Sequence, residues 1–196
     1  KDVEVNDRYL FENISNWKIS MSAKSTLVTI KFQIQYLMTK QQEDVVNAHV
    51  AKVMPTLFTA SATDADKVKA IHDYVVKTMQ YSEQTVGSQY STYTLVTENK
   101  GVCQAYALLM DKMLKQAGIE TMYVKGAAGN ASHAWNLVKL DGNWFHVDAT
   151  WDDPVGNKAA EVSHKYFLKS DSEMAKTHTW TKEQYPVAKK SLTAVK

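Results

Sequence analysis

The clearest alternation of apolar and polar positions lies near the start of the chain. Val28, Ile30, Phe32, Ile34, Tyr36 and Met38 fall on one side, and Thr29, Lys31, Gln33 and Gln35 on the other. A period of two predicts a half-buried β-strand. The period then lengthens. Over 41–54, Val45, Val46, Ala48, Val50 and Val53 form an imperfect helical stripe, which Pro55 is expected to stop. Thr63 with Asp66 three residues later resembles a capping box, and Val68, Ile71, His72, Val75 and Met79 follow at helical spacing. The polar stretch 82–100, with Gly87 and several Ser and Thr, reads as an irregular connection. A further helix is predicted over 103–117, with Tyr106, Met110, Leu114 and Ala117 facing inward and Gly118 as its stop.

The second half reads mainly as strands. A strand is predicted over 119–125, a flexible turn over 126–132, and then two alternating runs, 133–140 and 143–150, joined by Asp141-Gly142. Asp-Gly between alternating runs is a strong two-residue hairpin signal. Counting outward from it pairs Leu140 with Asn143 and Lys139 with Trp144, and brings Trp135 opposite Asp148. His133 then lies one diagonal step from Asp148 on the same sheet face, about 5–8 Å away between Cβ atoms. A polar loop beyond Pro154, a short strand around 165–168 and a tail rich in Lys and Thr complete the chain. These elements predict an α+β fold, with a helix carrying Cys103 packed on an antiparallel sheet. Residues 1–62 form an N-terminal strand-helix extension and 63–196 the core, and no linker divides them into separate domains.

Composition narrows the picture only slightly. At 196 residues, 44% of them hydrophobic, the chain suits one domain with an ordinary core. A net charge of +2, with the basic residues dispersed, gives no footprint for nucleic acid. No apolar run approaches the roughly 18 residues of a membrane span. A single cysteine forms no internal disulfide, so cysteine usage is silent on the redox compartment. The sequence opens at Lys1 with neither Met nor a signal sequence, as a mature secreted protein or a trimmed chain would.

That single cysteine carries the candidate chemistry. Gly101-Val102-Cys103-Gln104-Ala105-Tyr106 places Cys103 where a Gly-ended loop passes into a helix. Backbone N–H groups and the positive end of the helix dipole there favour thiolate, the nucleophilic form. Asp148 can fix the tautomer of His133 and leave the other ring nitrogen for the thiol. Each reading has a plainer rival. A cysteine without context is a small buried hydrophobe. His146, two residues before Asp148, is a second candidate base, and His133, His146, Asp148 and Asp152-Asp153 formally offer a zinc-type donor set. The spacing matches no zinc signature, however, and Asp152-Asp153-Pro154 is more simply a turn. Trp135 is a candidate substrate-binding wall of the acyl pocket, whereas Trp144 and Trp151 read as packing. His164 and His178 read as surface or structural groups, and His72 as a satisfied core histidine.

Three blocks together carry a family resemblance. Gly-Val-Cys-Gln-Ala-Tyr-Ala, His-Ala-Trp-Asn-Leu-Val and Asp-Gly-Asn-Trp-Phe-His-Val-Asp-Ala-Thr-Trp-Asp-Asp-Pro, in that order, resemble the core of the transglutaminase-like superfamily, in particular its bacterial members. Tyr166-Phe167-Leu168 and His178-Thr179-Trp180 extend the resemblance to residues 64–180. The resemblance implies a papain-like Cys-His-Asp site, with Cys103 as nucleophile, His133 as base and Asp148 as the orienting acid. Ala105 stands where the family usually has Gly, a change of small for small. The side-chain oxyanion donor is not placed, with Tyr81, Tyr90 and Tyr93 all upstream of the cysteine.

The activity so implied is cysteine-dependent acyl transfer on protein or peptide amides, through a thioester on Cys103 resolved by an amine or by water. A cysteine protease or amidase with the same triad, and a non-catalytic surface binding module, are the alternatives. No cofactor is expected, since nothing resembles a calcium loop. The expected partner is a protein or peptide substrate, and family analogy places the protein outside the cell or at its surface.

Overall fold

A computed structural model describes residues 7–153 and 161–192. A short helix α1 (Arg8–Glu12) leads into strands β1 (Ile14–Lys24) and β2 (Leu27–Tyr36), followed by helices α2 (Lys40–Leu57) and α3 (Asp64–Thr78). Next come β3 (Gln80–Tyr81), α4 (Thr92–Glu98), β4 (Lys100–Gly101) and the Cys103 helix α5 (Cys103–Gln116). Strands β5 (Thr121–Ala128), β6 (Ala131–Leu140) and β7 (Asn143–Val147), helix α6 (Asp171–Met174) and strand β8 (His178–Trp180) follow. The main sheet has the order β7-β6-β5-β8 and is antiparallel at every pairing. This is an α+β fold with a papain-like core.

Local signals explain the element boundaries. Thr39 and Gln42 form a capping box on α2, and Thr63 and Asp66 form one on α3. Pro55 does not stop α2, which runs on to Leu57. One proline near a helix end forfeits a single bond there, and the packing of Met54 beside it retains the last turn. Helix α5 ends where Gly118 takes a φ of +79°. Asp141 and Gly142 both adopt positive φ, as a type I′ turn requires, and the ladder pairs Leu140 with Asn143 through to Asn136 with Val147.

Strand alternation gives the sheet two buried faces. Val138, Leu140, Phe145 and Val147 join Val46, Val50, Ile71, Val75, Leu109 and Met113 from the helices in the main core. Val124, Trp135 and Leu137 point the other way and pack with Tyr166, Met174 and Ala188. Each such fully buried side chain contributes about 1.5–3 kcal/mol of transfer free energy. Helix α2, within the segment read as an extension, thus supplies Val46, Val50 and Met54 to the main core.

Several expectations are corrected. The 82–100 connection contains α4 and β4, held by the Ser91 cap and by the pairing of β4 with β3. Strand β5 runs through Gly126 to Ala128, so the flexible turn shrinks to the residues between Ala128 and Ala131. Residues 165–168 are a turn rather than a strand, and the nearest bridge pairs His146 with Lys169. Strand β2 is exposed on both faces rather than half-buried, and among the described residues it pairs with β1 alone.

Candidate active site

Two layers meet at a cleft of about 440 Å³ that Cys103 and His133 both line. Cys103 is the first residue of α5, and the first intrahelical bond is made by the Tyr106 N–H to the Val102 carbonyl. The N–H groups of the first turn therefore lack helical acceptors, and Val102 supplies no side-chain cap. Their positive end faces the site.

His133 sits near the start of β6. Its Nε2–H donates to Asp148 Oδ2 at 2.7 Å, which leaves Nδ1 for Cys103 in the same cleft. Burial is the strongest single influence on this imidazole and favours its neutral form. Hydrogen bonds to Asp148 and Cys103, together with their charges, outweigh burial and raise the pKa to about 9. His133 is thus held as an imidazolium at neutral pH, in the cleft that it shares with Cys103.

Asp148 lies just past the end of β7, fully buried, and four donors converge on it. Oδ1 accepts from the backbone N–H groups of Thr150 and Trp151 at 3.0 and 3.1 Å. Oδ2 accepts from His133 and also from His178 Nε2 at 3.0 Å. Burial alone would raise the carboxyl pKa, but the two imidazoles prevail and lower it. His178, read from the sequence as surface or structural, is buried in β8 and faces Thr177 Oγ1 with its other nitrogen. A close strand approach makes this possible. At Gly126 a Cβ would lie 2.1 Å from the Thr179 carbonyl oxygen, so only glycine admits β8 at that spacing.

The remaining candidates separate. Trp135, proposed as a wall of the acyl pocket, is buried behind His133 with ring centroids 5.9 Å apart, and does not line the cleft. Its indole N–H donates to His146 Nδ1 at 2.9 Å. His146 must then carry its proton on Nε2, which donates to Asp171 at 2.9 Å. Burial lowers its pKa to about 4 despite the nearby Asp171, so His146 is a neutral structural group. The zinc-type set does not converge either, because Asp152 bonds His72 and His146 faces Asp171. Ligand atoms of His133, Asp148 and His178 do lie within 4.8 Å of one another, and so do those of His72, Asp73 and His164. In both sets hydrogen bonds of 2.7–3.1 Å account for the spacing.

Among the upstream tyrosines, Tyr81 and Tyr90 line the cleft and Tyr93 packs against the core. Tyr81 is held beside the approach to Cys103 by parallel pairing with Gly101 and by its backbone N–H on Asp153 Oδ2. Its hydroxyl pKa is raised by burial and then by the charge of Cys103. The sequence carried no signal that ranked Tyr81 over its neighbours.

A sequence model of the transglutaminase-like superfamily matches residues 52–149, half of the chain and the part that holds Cys103, His133 and Asp148. The chain belongs to this superfamily. Human Kyphoscoliosis peptidase is 27% identical over 60% of this chain and 21% of its own length. The mouse protein of the same name is 25% identical over 54% of this chain and 18% of its own. The chain therefore spans about a fifth of the curated relatives that it matches. The crystal structure of a TGase shares the fold, with a TM-score of 0.52 and 14% identity over 93% of this chain and 53% of that one. Membership makes this a cysteine-enzyme type of domain. Among the described residues, no helix is long and apolar enough to cross a membrane.

Proposed function

We propose that the domain catalyses acyl transfer from a protein or peptide amide, with Cys103 as nucleophile, His133 as acid and base, and Asp148 as the group that orients His133. The observation that carries this reading is a cysteine at an uncapped helix start that shares a cleft with an imidazole whose Nε2 is held at 2.7 Å by a buried carboxylate. The sulfur attacks the amide carbon and forms a tetrahedral oxyanion. The Cys103 N–H and the hydroxyl of Tyr81, which lines the same cleft, are assigned as the donors to that charge. Collapse expels the amine, which takes its proton from His133, and leaves a thioester. A second amine, or water deprotonated by His133, attacks the thioester and returns the proton to the site. His178 positions Asp148 and does not itself meet substrate.

Hydrolysis is the second reading, favoured by the peptidase name of the two mammalian relatives. The extracellular or cell-surface setting is a proposal by family analogy alone. The test begins with iodoacetamide alkylation of Cys103 from pH 4 to 10, in the native chain and in His133→Ala, read by intact mass. Alkylation well below the ordinary thiol pKa of about 8.5, lost in the variant, supports the pair. An inert thiol, or identical profiles, sinks the catalytic reading and leaves a binding module. Glutamine peptides with a fluorescent primary amine then separate transfer from hydrolysis by amine incorporated against amine or ammonia released.

A further inference from the structure

The β1-β2 hairpin stands off the body as a bare arm. Its register stacks four rungs on one face, Trp17 with Ile34, Ile19 with Phe32, Met21 with Ile30 and Ala23 with Val28. None of the large side chains in these rungs is buried, and Trp17, Phe32 and Met21 are 64%, 65% and 72% exposed. The opposite face carries Lys18, Ser20, Ser22, Thr29, Lys31 and Gln33. An isolated two-stranded hairpin is marginal in water, and an apolar face this continuous is rare on an unpartnered surface.

We propose that this apolar face is a homodimer interface, in which the arms of two copies pack face to face and antiparallel. Three observations select a second copy. The seven large side chains of the face are 46–72% exposed along the whole arm, so the partner must match it in length and apolar character, as a second arm does. The rungs taper from Trp17–Ile34 at the base to Ala23–Val28 at the tip, so an antiparallel copy sets bulky base against small tip and fills the layer evenly. No charge lies on the face, so a two-fold axis brings no like charges together. The arm is about 33 Å long, which keeps the two bodies at opposite ends of the overlap. The Leu37 N–H on the Asn13 carbonyl at 2.7 Å closes the two strands at the base of the arm.

The test is sedimentation equilibrium of the whole chain up to about 100 µM, which detects dissociation constants in the micromolar range. The native chain is expected at twice its 22.1 kDa. Phe32→Asp raises the dissociation constant at least about a hundredfold, as loss of a central anchor does. Lys31→Glu, on the opposite face, leaves it unchanged. Unchanged near-ultraviolet circular dichroism and Cys103 alkylation in Phe32→Asp show that the body still folds. A native monomer overturns the proposal, even if the arm then binds phosphatidylcholine vesicles. A dimer that survives Phe32→Asp overturns it as well, and assigns the contact to a strand edge or to the body.

Discussion

Replacing Asp148 by Asn keeps the side-chain shape and removes the charge, and the structure says what must follow. Both backbone N–H groups of Thr150 and Trp151 need an acceptor, so the amide oxygen of the variant stays on them. The amide nitrogen then faces two imidazole Nε2 atoms, each of which must become an acceptor. His133 is forced into the wrong tautomer, with its proton on the nitrogen that serves Cys103. It also loses the charge that, with Cys103, outweighs burial and lifts its pKa from 6.5 to about 9. That separation is worth about 3 kcal/mol at most. Because the folded-state pKa is the higher one, this stability is fully present below pH 6.5 and is lost as pH rises through about 9. Urea unfolding from pH 5.5 to 10 should therefore show native and variant chains far apart at the acid end, closing by about 2–3 kcal/mol toward the alkaline end. A constant remainder reflects the other bonds of Asp148. Parallel curves for the two chains would falsify the assignment of Asp148 as the partner that charges His133.

Three further outcomes follow from neighbouring contacts. His178→Ala removes a buried bond to a carboxylate, worth about 1.5–3 kcal/mol, and should slow Cys103 alkylation roughly tenfold, with partial rescue by His178→Gln, whose amide restores the donor; alkylation at the native rate counts against a positioning role. His146 has its folded pKa depressed to about 4, so it contributes stability above pH 6.5 that is lost as pH falls toward 4. His146→Gln should flatten that acid limb in urea titrations, and an unchanged slope assigns the limb to other groups. Gly126→Ala drives a methyl into the Thr179 carbonyl and the Trp135 ring. It should cost about 1–3 kcal/mol in urea unfolding and slow alkylation by displacing His178, whereas a variant of native stability would show that β8 yields freely.

What could be read from the chain was whatever depends on near neighbours. Asp141-Gly142 set the register by turn geometry alone, and Thr63 with Asp66 marked a helix start through two reciprocal hydrogen bonds. The pairing of His133 with Asp148 followed from that register, because it needs only the pleat of one hairpin. His178 could not be read in the same way. It reaches Asp148 through β8, a three-residue strand thirty positions downstream, whose approach depends on a glycine in another strand. Alternation over 28–38 gave the strand but misjudged its burial, since a period of two reports that one face is apolar and not what covers it. Pro55 misled for a related reason, because its local penalty was outweighed by the packing of α2 against α3.

The segment from Asp148 to Asp153 explains why the site is assembled from so many elements yet held as one. Its three carboxylates are all buried, and each is committed to a different part of the fold. Asp148 binds His133 on β6 and His178 on β8. Asp152 binds His72 on α3 at 3.2 Å and the Tyr166 N–H at 3.0 Å. Asp153 accepts the Tyr106 hydroxyl of the Cys103 helix at 2.7 Å and the Tyr81 N–H of the cleft wall at 3.2 Å. Burying three carboxylates in six residues is costly unless every one is paired, and here each pairing fixes an element that carries a site residue or supports one. A sequence rich in aspartate at this point resembles a metal loop or a solvated turn. Its hydrogen bonds show it instead to be the joint that sets Cys103, His133 and Tyr81 at fixed separations, so that a shift of the base away from the sulfur requires breaking buried charged bonds on two layers of the fold at once.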